Sequence, residues 1–334
     1  MRDFHFSNIC TIIGLILAYM WAGTDGVVIT AILILMEVSL SFDNAVVNAT
    51  ILKDMDEKWR KRFMTWGILI AVFGMRLVFP ILLVAFATGL SMYDVSHLAF
   101  ENPDEYSKHV LASNVEICIF GGMFLLMVFL HFIFDESKEI HWIGFLERRL
   151  SSAGRLQSLE VILSLIVLLI MQSLLPAESK LSALVSGLVG VVLYVTINSV
   201  MSLFSSDGHG ANKSVAVSGF VGFMYLQLLD ASFSLDGVIG AFAISKDVVI
   251  IMLGLGVGAI FVRSMTAFMV KKGTLDEYVF LEHGAHYGIG ALAFIMLASS
   301  MHHIPEVITG LIGLVCTVLS WWSSVKYNKS NNKS

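Results

Sequence analysis

The segment Glu37-Val38-Ser39-Leu40-Ser41-Phe42-Asp43-Asn44 places two carboxylates inside an otherwise apolar part of the chain. Almost two hundred residues later, Asp230-Ala231-Ser232-Phe233-Ser234-Leu235-Asp236-Gly237 repeats the pattern. The two strings match acid with acid at both acidic positions and serine with serine at the two positions between them. An ionisable side chain at bilayer depth costs roughly 2.5–3.5 kcal/mol on insertion scales. Four such residues in apolar surroundings therefore indicate a functional site.

The composition indicates that these segments lie in a lipid bilayer. Apolar residues make up 57% of the 334 residues, charged residues only 14%, and the mean hydropathy is +0.81. A soluble domain carries about 25% charged residues, so this chain has too little polar surface to remain in water. Apolar runs near 20 residues, without the alternation of an outer-membrane barrel, predict an all-α polytopic membrane protein.

The apolar runs predict about ten transmembrane helices in a single membrane domain, residues 1–334. The first five would form one repeat, residues 9–175, and the last five a second repeat, residues 181–325. The predicted spans are 9–22, 26–52, 63–90, 110–134, 158–175, 181–204, 215–244, 247–270, 285–301 and 304–325.

Lysine and arginine test this count through the positive-inside rule. With the amino terminus in the cytoplasm, sixteen of the 21 basic residues fall on the cytoplasmic side and three on the other. The remaining two, Arg76 and Arg263, lie inside spans. The distribution predicts ten crossings of the cell inner membrane, with both termini cytoplasmic.

Three polar segments lie outside the predicted spans. The acidic segment 91–109 is expected to be a solvated loop, although it could also collect cations. The segment 135–157 is a cytoplasmic loop, partly amphipathic around Trp142–Leu150. The tail 326–334 is rich in Asn, Lys and Ser and is predicted to be disordered.

The two acidic motifs are predicted to run in opposite directions through the bilayer. The first lies in the second span and its counterpart in the seventh, five crossings apart. This is the inverted-repeat arrangement of many secondary transporters, whose sites lie near the bilayer midplane. Arg76 and Arg263 extend the symmetry, because each lies deep in the span that follows its motif.

The chemistry of the motifs points to a hard cation. On a regular helix Glu37, Ser41, Asn44 and Asn48 form one polar stripe, whereas Asp43 points away unless the helix breaks near Leu40–Asn44. In the second motif Asp230 and Ser234 continue the stripe, and Gly237 suits local unwinding. Oxygen donors of this kind favour Mg²⁺, Ca²⁺ or Mn²⁺ over soft metals. The expected metal ligands are Glu37, Asp43, Asn44, Asp230 and Asp236.

A structural alternative assigns the acids to ion pairs, Glu37 or Asp43 with Arg76 and Asp230 or Asp236 with Arg263. Four acids against two arginines would still leave two negative charges uncompensated, which favours a cation site. The arginines would then be alternate partners when the ion is absent. Supporting roles are expected for Ser41, Ser234, Arg76, Arg263, Glu116 and His283.

The motif residues EVSLSFDNAVVN at 37–48 and LLDASFSLDGVIGAFA at 228–243 resemble the paired acidic motifs of the TerC family of integral membrane proteins. The resemblance is closest to a larger uncharacterised branch, which LEHGAHYGIGALA at 281–293 also resembles, and it covers roughly residues 25–325. It implies kinship with cation and amino-acid exporters, and with proteins linked to manganese export and tellurite resistance. It also implies metal-site roles for the five expected ligands.

These observations predict a secondary transporter that exports a divalent cation, with Mn²⁺ the leading candidate, and with the lipid bilayer as its environment. The cation is substrate, and no cofactor is expected. The chain lacks a G-x-x-x-x-G-K loop, HExxH and GxSxG, so ion or proton gradients would supply the energy and no enzyme activity is expected. No nucleic-acid partner is predicted, and a homo-oligomer stays open. The alternative is an accessory factor for membrane-protein assembly or for metal and tellurite stress resistance.

Overall fold

The computed structural model describes residues 4–138, 140–153, 158–205, 219–302 and 304–331, which form helices and connecting turns without a strand. The helices are α1 (His5–Leu40), α2 (Phe42–Lys53), α3 (Glu57–Leu69), a π-helical segment (Ile70–Val78), α4 (Phe79–Thr88), α5 (Met92–Glu101), α6 (Pro103–Ala112), α7 (Asn114–Phe134), α8 (Gly144–Ala153), α9 (Leu159–Leu174), a 3₁₀ turn (Ala177–Ser179), α10 (Lys180–Ser205), α11 (Gly219–Ile244), α12 (Val248–Lys272), α13 (Thr274–Glu277), α14 (Leu281–Ser299) and α15 (Glu306–Asn331).

Six stretches in the described part of the chain are long and apolar enough to cross a membrane. They are His5–Leu40, Glu57–Leu82, Asn114–Phe134, Ala177–Val200, Val248–Lys272 and Ile308–Ser330. The chain is therefore an all-helical membrane protein, as predicted. The number of such stretches is smaller than the ten predicted spans, partly because α9 has only 16 residues and because His5–Leu40 counts once although a break divides it.

Helix α1 contains a sharp break near its middle. Ala22 has φ −133° and Gly23 has φ +66°, neither of which is helical. Only glycine adopts the second conformation without a steric penalty, so Gly23 permits the break. The break divides α1 into a first arm, residues 5–21, and a second arm, residues 24–40.

The two arms run along α12 in opposite directions. At the start of the first arm, the ring of Phe4 lies 5.9 Å from that of Phe268, and further along the arm a Cβ on Gly14 would lie 2.8 Å from Val257. Later residues of the first arm thus contact earlier residues of α12. The first arm is therefore antiparallel to α12.

The second arm follows α12 in the same direction. A Cβ on Gly26 would lie 3.2 Å from Ile250, and a Cβ on Gly258 would lie 2.6 Å from Cβ and Cγ of Glu37. The chain thus reverses at Gly23, close to the predicted boundary between residues 22 and 26.

Helices α11 and α12 form an antiparallel hairpin. The connection, residues 245–247, is three residues long, and the Asp247 carboxylate caps α12 by accepting hydrogen bonds from the backbone N–H groups of Val249 (2.9 Å) and Ile250 (3.2 Å). Since the second arm is parallel to α12, it is antiparallel to α11. The helices that carry the two acidic motifs therefore run in opposite directions.

Helices α7 and α12 form the interior of the bundle. In their most apolar windows 72% and 67% of residues are buried, compared with 17–28% in the other four candidate spans. The largest apolar cluster packs α7 against α2 and α14, through Val46, Phe124 and Ile289 among others. Helices α2 and α12, which border the acidic motifs, are consequently held by the most buried part of the protein.

The acidic segment 91–109, expected to be a loop, is largely helical. The Asn102 side chain accepts a hydrogen bond from the Glu105 backbone N–H at 3.4 Å, and Pro103 occupies the first turn of α6, where its missing N–H costs nothing. Asp104 on α6 pairs with Lys246 in the α11–α12 connection at 2.6 Å, and this pairing lowers the pKa of the Asp104 carboxyl. The segment therefore forms a helical cap over that connection.

The prediction of a disordered tail at 326–334 is wrong for the described part, because α15 continues to Asn331. The Asn328 side chain donates a hydrogen bond to the Glu277 carbonyl at 2.7 Å, and the rings of Tyr327 and Phe280 lie 5.4 Å apart. These contacts with neighbouring elements stabilise a polar segment that would be a poor helix alone. Residues 332–334 lie outside the described part.

Candidate functional site

The first acidic motif coincides with a helix break. Helix α1 ends at Leu40 and α2 begins at Phe42, with Ser41 between them at φ −103° and ψ 19°. This is one of the two arrangements that the sequence allowed for Asp43. The break lies one helical turn after Glu37 and directly before Asp43, so the two acids lie on different helices and project toward different neighbours.

Glu37 is buried against Arg76 from the π-helical segment. The side chain of Glu37 is 4% exposed and that of Arg76 is 5% exposed. Arg76 Nη2 donates to Glu37 Oε1, and Nη1 donates to the carbonyl of Ala71 at 2.5 Å. The Ser41 hydroxyl donates to the same Glu37 oxygen at 3.2 Å. Glu37 packs closely on Gly258, where a side chain would collide with it.

Asp230 forms the corresponding pair with Arg263. Arg263 Nη2 donates to Asp230 Oδ2, and Nη1 donates to the carbonyl of Phe63 at 2.7 Å. The guanidinium also lies 3.9 Å above the Phe63 ring, a cation–π contact. The Asn48 amide donates to Asp230 Oδ1 at 2.6 Å, which links α2 to α11.

Both ion pairs border one small cavity. Its volume is about 20 Å³, which is room for roughly one water molecule. Three oxygens of its lining residues, Asn44 Oδ1, Asn48 Oδ1 and Ser234 Oγ, have no hydrogen-bond partner among the described residues. The lining therefore combines the buried Glu37 carboxylate and the Asp230 carboxylate, whose side chain is 11% exposed, with three residues whose oxygens are available to a ligand.

Asp43 lies beside this cavity and points away from it. Its Oδ1 accepts a hydrogen bond from the Asn44 backbone N–H at 2.9 Å. Its Oδ2 fits between α14 and α15, 3.2 Å from where a Cβ would stand on Gly288 or Gly313. Asp43 and Glu37 border a second, smaller cavity of about 10 Å³. The side chain of Asp236, the fifth expected ligand, lies outside the described part.

The described side chains hold no group of three or more His, Cys, Asp or Glu residues placed to bind a metal ion together. Among the described side chains, two carboxylates line the cavity, those of Glu37 and Asp230, and an arginine occupies one oxygen of each. The structure thus brings Glu37, Asn44, Asp230 and the supporting Ser41, Ser234, Arg76 and Arg263 to one cavity, in an arginine-neutralised arrangement.

Two of the expected supporting residues lie elsewhere. His283, at the start of α14, makes a 2.9 Å hydrogen bond with the Ile140 carbonyl and lies 3.5 Å from the fully buried carboxylate of Glu147 on α8. Glu116 lies in the first turn of α7, and its Oε2 has no partner in the described part. Neither residue lines the cavity.

Two residues at the Asp230–Arg263 ion pair were not among the metal ligands predicted from the sequence. Asn48 lies on the predicted polar stripe, and its bond to Asp230 could have been anticipated from that position. Gln227, one helical turn before Asp230, is buried beside the Asp230–Arg263 pair. The carbonyls of Ala71 and Phe63 carry no side-chain signal, so the sequence could not identify them as arginine acceptors.

Comparison with known protein families matches residues 42–331 to a family model described as a protein of unknown function, DUF475. The match begins at the helix break and includes both acidic motifs except Glu37 and the four residues that follow it. No curated protein and no solved structure matches the chain.

Proposed function

The chain belongs to the DUF475 family of membrane proteins, and we propose that it is a secondary transporter that exports a divalent metal cation. Mn²⁺ is the leading candidate substrate. The cation would bind in the cavity between the second arm, α2, α11 and α12, and would cross by alternating access.

The observation that carries this proposal is the cavity itself. Glu37 and Asp230 come from distant parts of the chain, yet both line one small cavity, together with three residues whose side-chain oxygens have no hydrogen-bond partner among the described residues. A buried oxygen without a partner forfeits a hydrogen bond, so three at one cavity suggest a ligand that completes them. Carboxylate, amide and hydroxyl oxygens are the ligands that hard divalent cations prefer.

The arginines fit the cation-free form of such a transporter. Without a cation, two buried carboxylates at one cavity would repel each other and lack counter-charge. Arg76 and Arg263 supply that charge, and arginine retains it at any physiological pH. A divalent cation would compensate the same two negative charges, so ion and guanidinium groups compete for the carboxylates.

The arrangement of the motifs supports alternating access. The second arm and α11 are antiparallel, and each contributes one acid that pairs with an arginine of a later element. In the proposed topology, ten crossings form two inverted five-helix repeats, residues 9–175 and 181–325, with both termini in the cytoplasm. Rocking of one repeat against the other would expose the cavity to each side in turn. Ion or proton gradients would drive transport.

Transport into proteoliposomes tests the proposal. The purified protein is reconstituted with a divalent-sensitive dye inside the vesicles, and Mn²⁺, Mg²⁺ and Ca²⁺ are added outside. Wild-type protein is expected to admit at least one of these ions, and Glu37→Gln and Asp230→Asn are each expected to lose most of the flux. Asp25→Asn, an exposed acid on the second arm, is the matched control and should transport normally.

Two results would refute the proposal. Wild-type vesicles that admit none of the three ions would do so, as would unchanged flux in both site variants. Co-purification of partner membrane proteins in that case would favour the accessory-factor alternative.

A further inference from the structure

Gln227 is a buried amide whose polar atoms have no hydrogen-bond partner in the described part of the chain. It lies on α11, one turn before Asp230, and is 3% exposed. Neither Nε2 nor Oε1 has a hydrogen-bond partner among the described residues. Buried side-chain amides are nearly always satisfied, so a glutamine with both polar atoms unpartnered calls for an explanation.

The amide faces the Arg263 guanidinium across a glycine. A Cβ on Gly67 of α3 would overlap Nη1 of Arg263 and would lie 2.7 Å from Nε2 of Gln227. Both groups therefore occupy space that a side chain at position 67 would need. The Gln227 amide can turn about its last torsion, which would present Oε1 to the guanidinium without movement of either helix.

Arg263 needs a second acceptor if a cation takes Asp230. Arg263 is buried and keeps its charge, and its Nη1 is committed to the Phe63 carbonyl. Loss of Asp230 would leave the buried guanidinium with the Phe63 carbonyl as its acceptor among the described residues, and Nη1, the nitrogen that lies beside Gln227 at Gly67, has a second N–H to donate. Resting on the proposed function, we infer that Gln227 is a positioning residue whose Oε1 accepts the Arg263 guanidinium when a divalent cation displaces it from Asp230.

The first motif has no glutamine one helical turn before its acid. Gln227 precedes Asp230 by three residues, and the residue three before Glu37 is Ile34, which is apolar and 8% exposed. Arg76 therefore has no amide at the equivalent place. The two ion pairs therefore differ three residues before the acid. Gln227 offers Arg263 a replacement acceptor, whereas Ile34 offers none to Arg76.

Two substitutions at Gln227 should change cation affinity in opposite directions. Gln227→Leu removes the acceptor, so displacement of Arg263 costs an unpaired N–H and affinity should fall about tenfold. Gln227→Glu offers Arg263 a permanent carboxylate partner, which frees Asp230 in advance, so affinity should rise about tenfold. The measurement is the thermal unfolding midpoint of the purified full-length protein in detergent, titrated with MnCl₂. Gln172→Leu and Gln172→Glu on α9 are matched controls and should leave the affinity unchanged.

The outcomes separate this inference from the proposed function. A Mn²⁺-dependent shift that is the same in wild type and both Gln227 variants overturns the inference and leaves the transporter intact. A decrease in affinity for both variants also overturns it, because a merely structural glutamine would behave in that way. The absence of any shift in the wild type with MnCl₂, MgCl₂ or CaCl₂ refutes the proposed function, and the inference fails with it. If Gln227→Leu does not fold, Gln227→Met replaces it.

Discussion

A double-mutant cycle on Glu37 and Arg76 would measure how far the cation site depends on its arginine. The two side chains are only 4–5% exposed and hydrogen-bonded to each other. Removal of one partner from a buried pair costs about 3–5 kcal/mol, because it strands the other charge. Here each residue keeps one further bond, Arg76 to the Ala71 carbonyl and Glu37 from the Ser41 hydroxyl. We therefore expect Glu37→Gln and Arg76→Gln each to lower the free energy of unfolding by about 3 kcal/mol.

The double variant leaves no stranded charge, and two glutamine amides can bond to each other. It should be no less stable than either single variant, which corresponds to a coupling energy of about 3 kcal/mol. The free energies come from SDS titration of purified protein in mixed micelles, followed by tryptophan fluorescence. Coupling below about 0.5 kcal/mol, the range of independent sites, would show that the pair is energetically insignificant.

The same cycle in Mn²⁺ distinguishes an alternate partner from a plain structural ion pair. A bound cation compensates Glu37 when the arginine is absent, so the cost of Arg76→Gln should shrink toward zero at saturating Mn²⁺. The cost of Glu37→Gln should grow, because this variant also loses a ligand. An equal loss for Arg76→Gln with and without Mn²⁺ would contradict the proposed exchange of arginine and cation at the site.

Three further predictions concern packing, charge and topology. Gly258→Ala should lower stability by about 1–3 kcal/mol and reduce transport, because the new methyl group would collide with Cβ and Cγ of Glu37 and displace that side chain. Gly144→Ala, whose added Cβ has no neighbouring atom within 4 Å, should change neither quantity in melting and flux assays. Asp43→Asn should express at the wild-type level and lose most transport; flux within twofold of wild type would remove Asp43 from the site. Single cysteines at Lys58 and Tyr93, in a background without the three native cysteines, should react with an impermeant reagent from opposite faces of the membrane, and reaction of both from one face would disprove the ten-crossing topology.

The sequence alone determined the class of the protein, because that class depends on local properties. Apolar run lengths and the low charge content predicted an all-helical membrane protein, and the described residues form helices and connecting turns without a strand. The break between Leu40 and Phe42 was one of two arrangements that the sequence allowed, because Asp43 does not lie on the polar stripe of a regular helix. The prediction of a loop at 91–109 failed because capping by Asn102 and a favourable Pro103 outweighed the acidic composition.

Only the tertiary structure decided which carboxylate pairs with which arginine. The sequence left Glu37 and Asp43 as equal candidates for Arg76, and the structure joins Arg76 to Glu37 and turns Asp43 toward Gly288 and Gly313. That choice depends on the break at Ser41, which rotates the residues on its two sides relative to each other.

The partners of Arg263 were equally beyond the sequence. Its bonds to Asp230 and to the Phe63 carbonyl, and the bond from Asn48 to Asp230, join residues 33 to 200 positions apart. Such contacts depend on the register in which α2, α3, α11 and α12 pack, to within one residue. Helical periodicity predicts the face on which a side chain lies, but the height of one helix against another follows from packing. At this site the fit of Glu37 against Gly258, and of Arg263 and Gln227 against Gly67, determines that register.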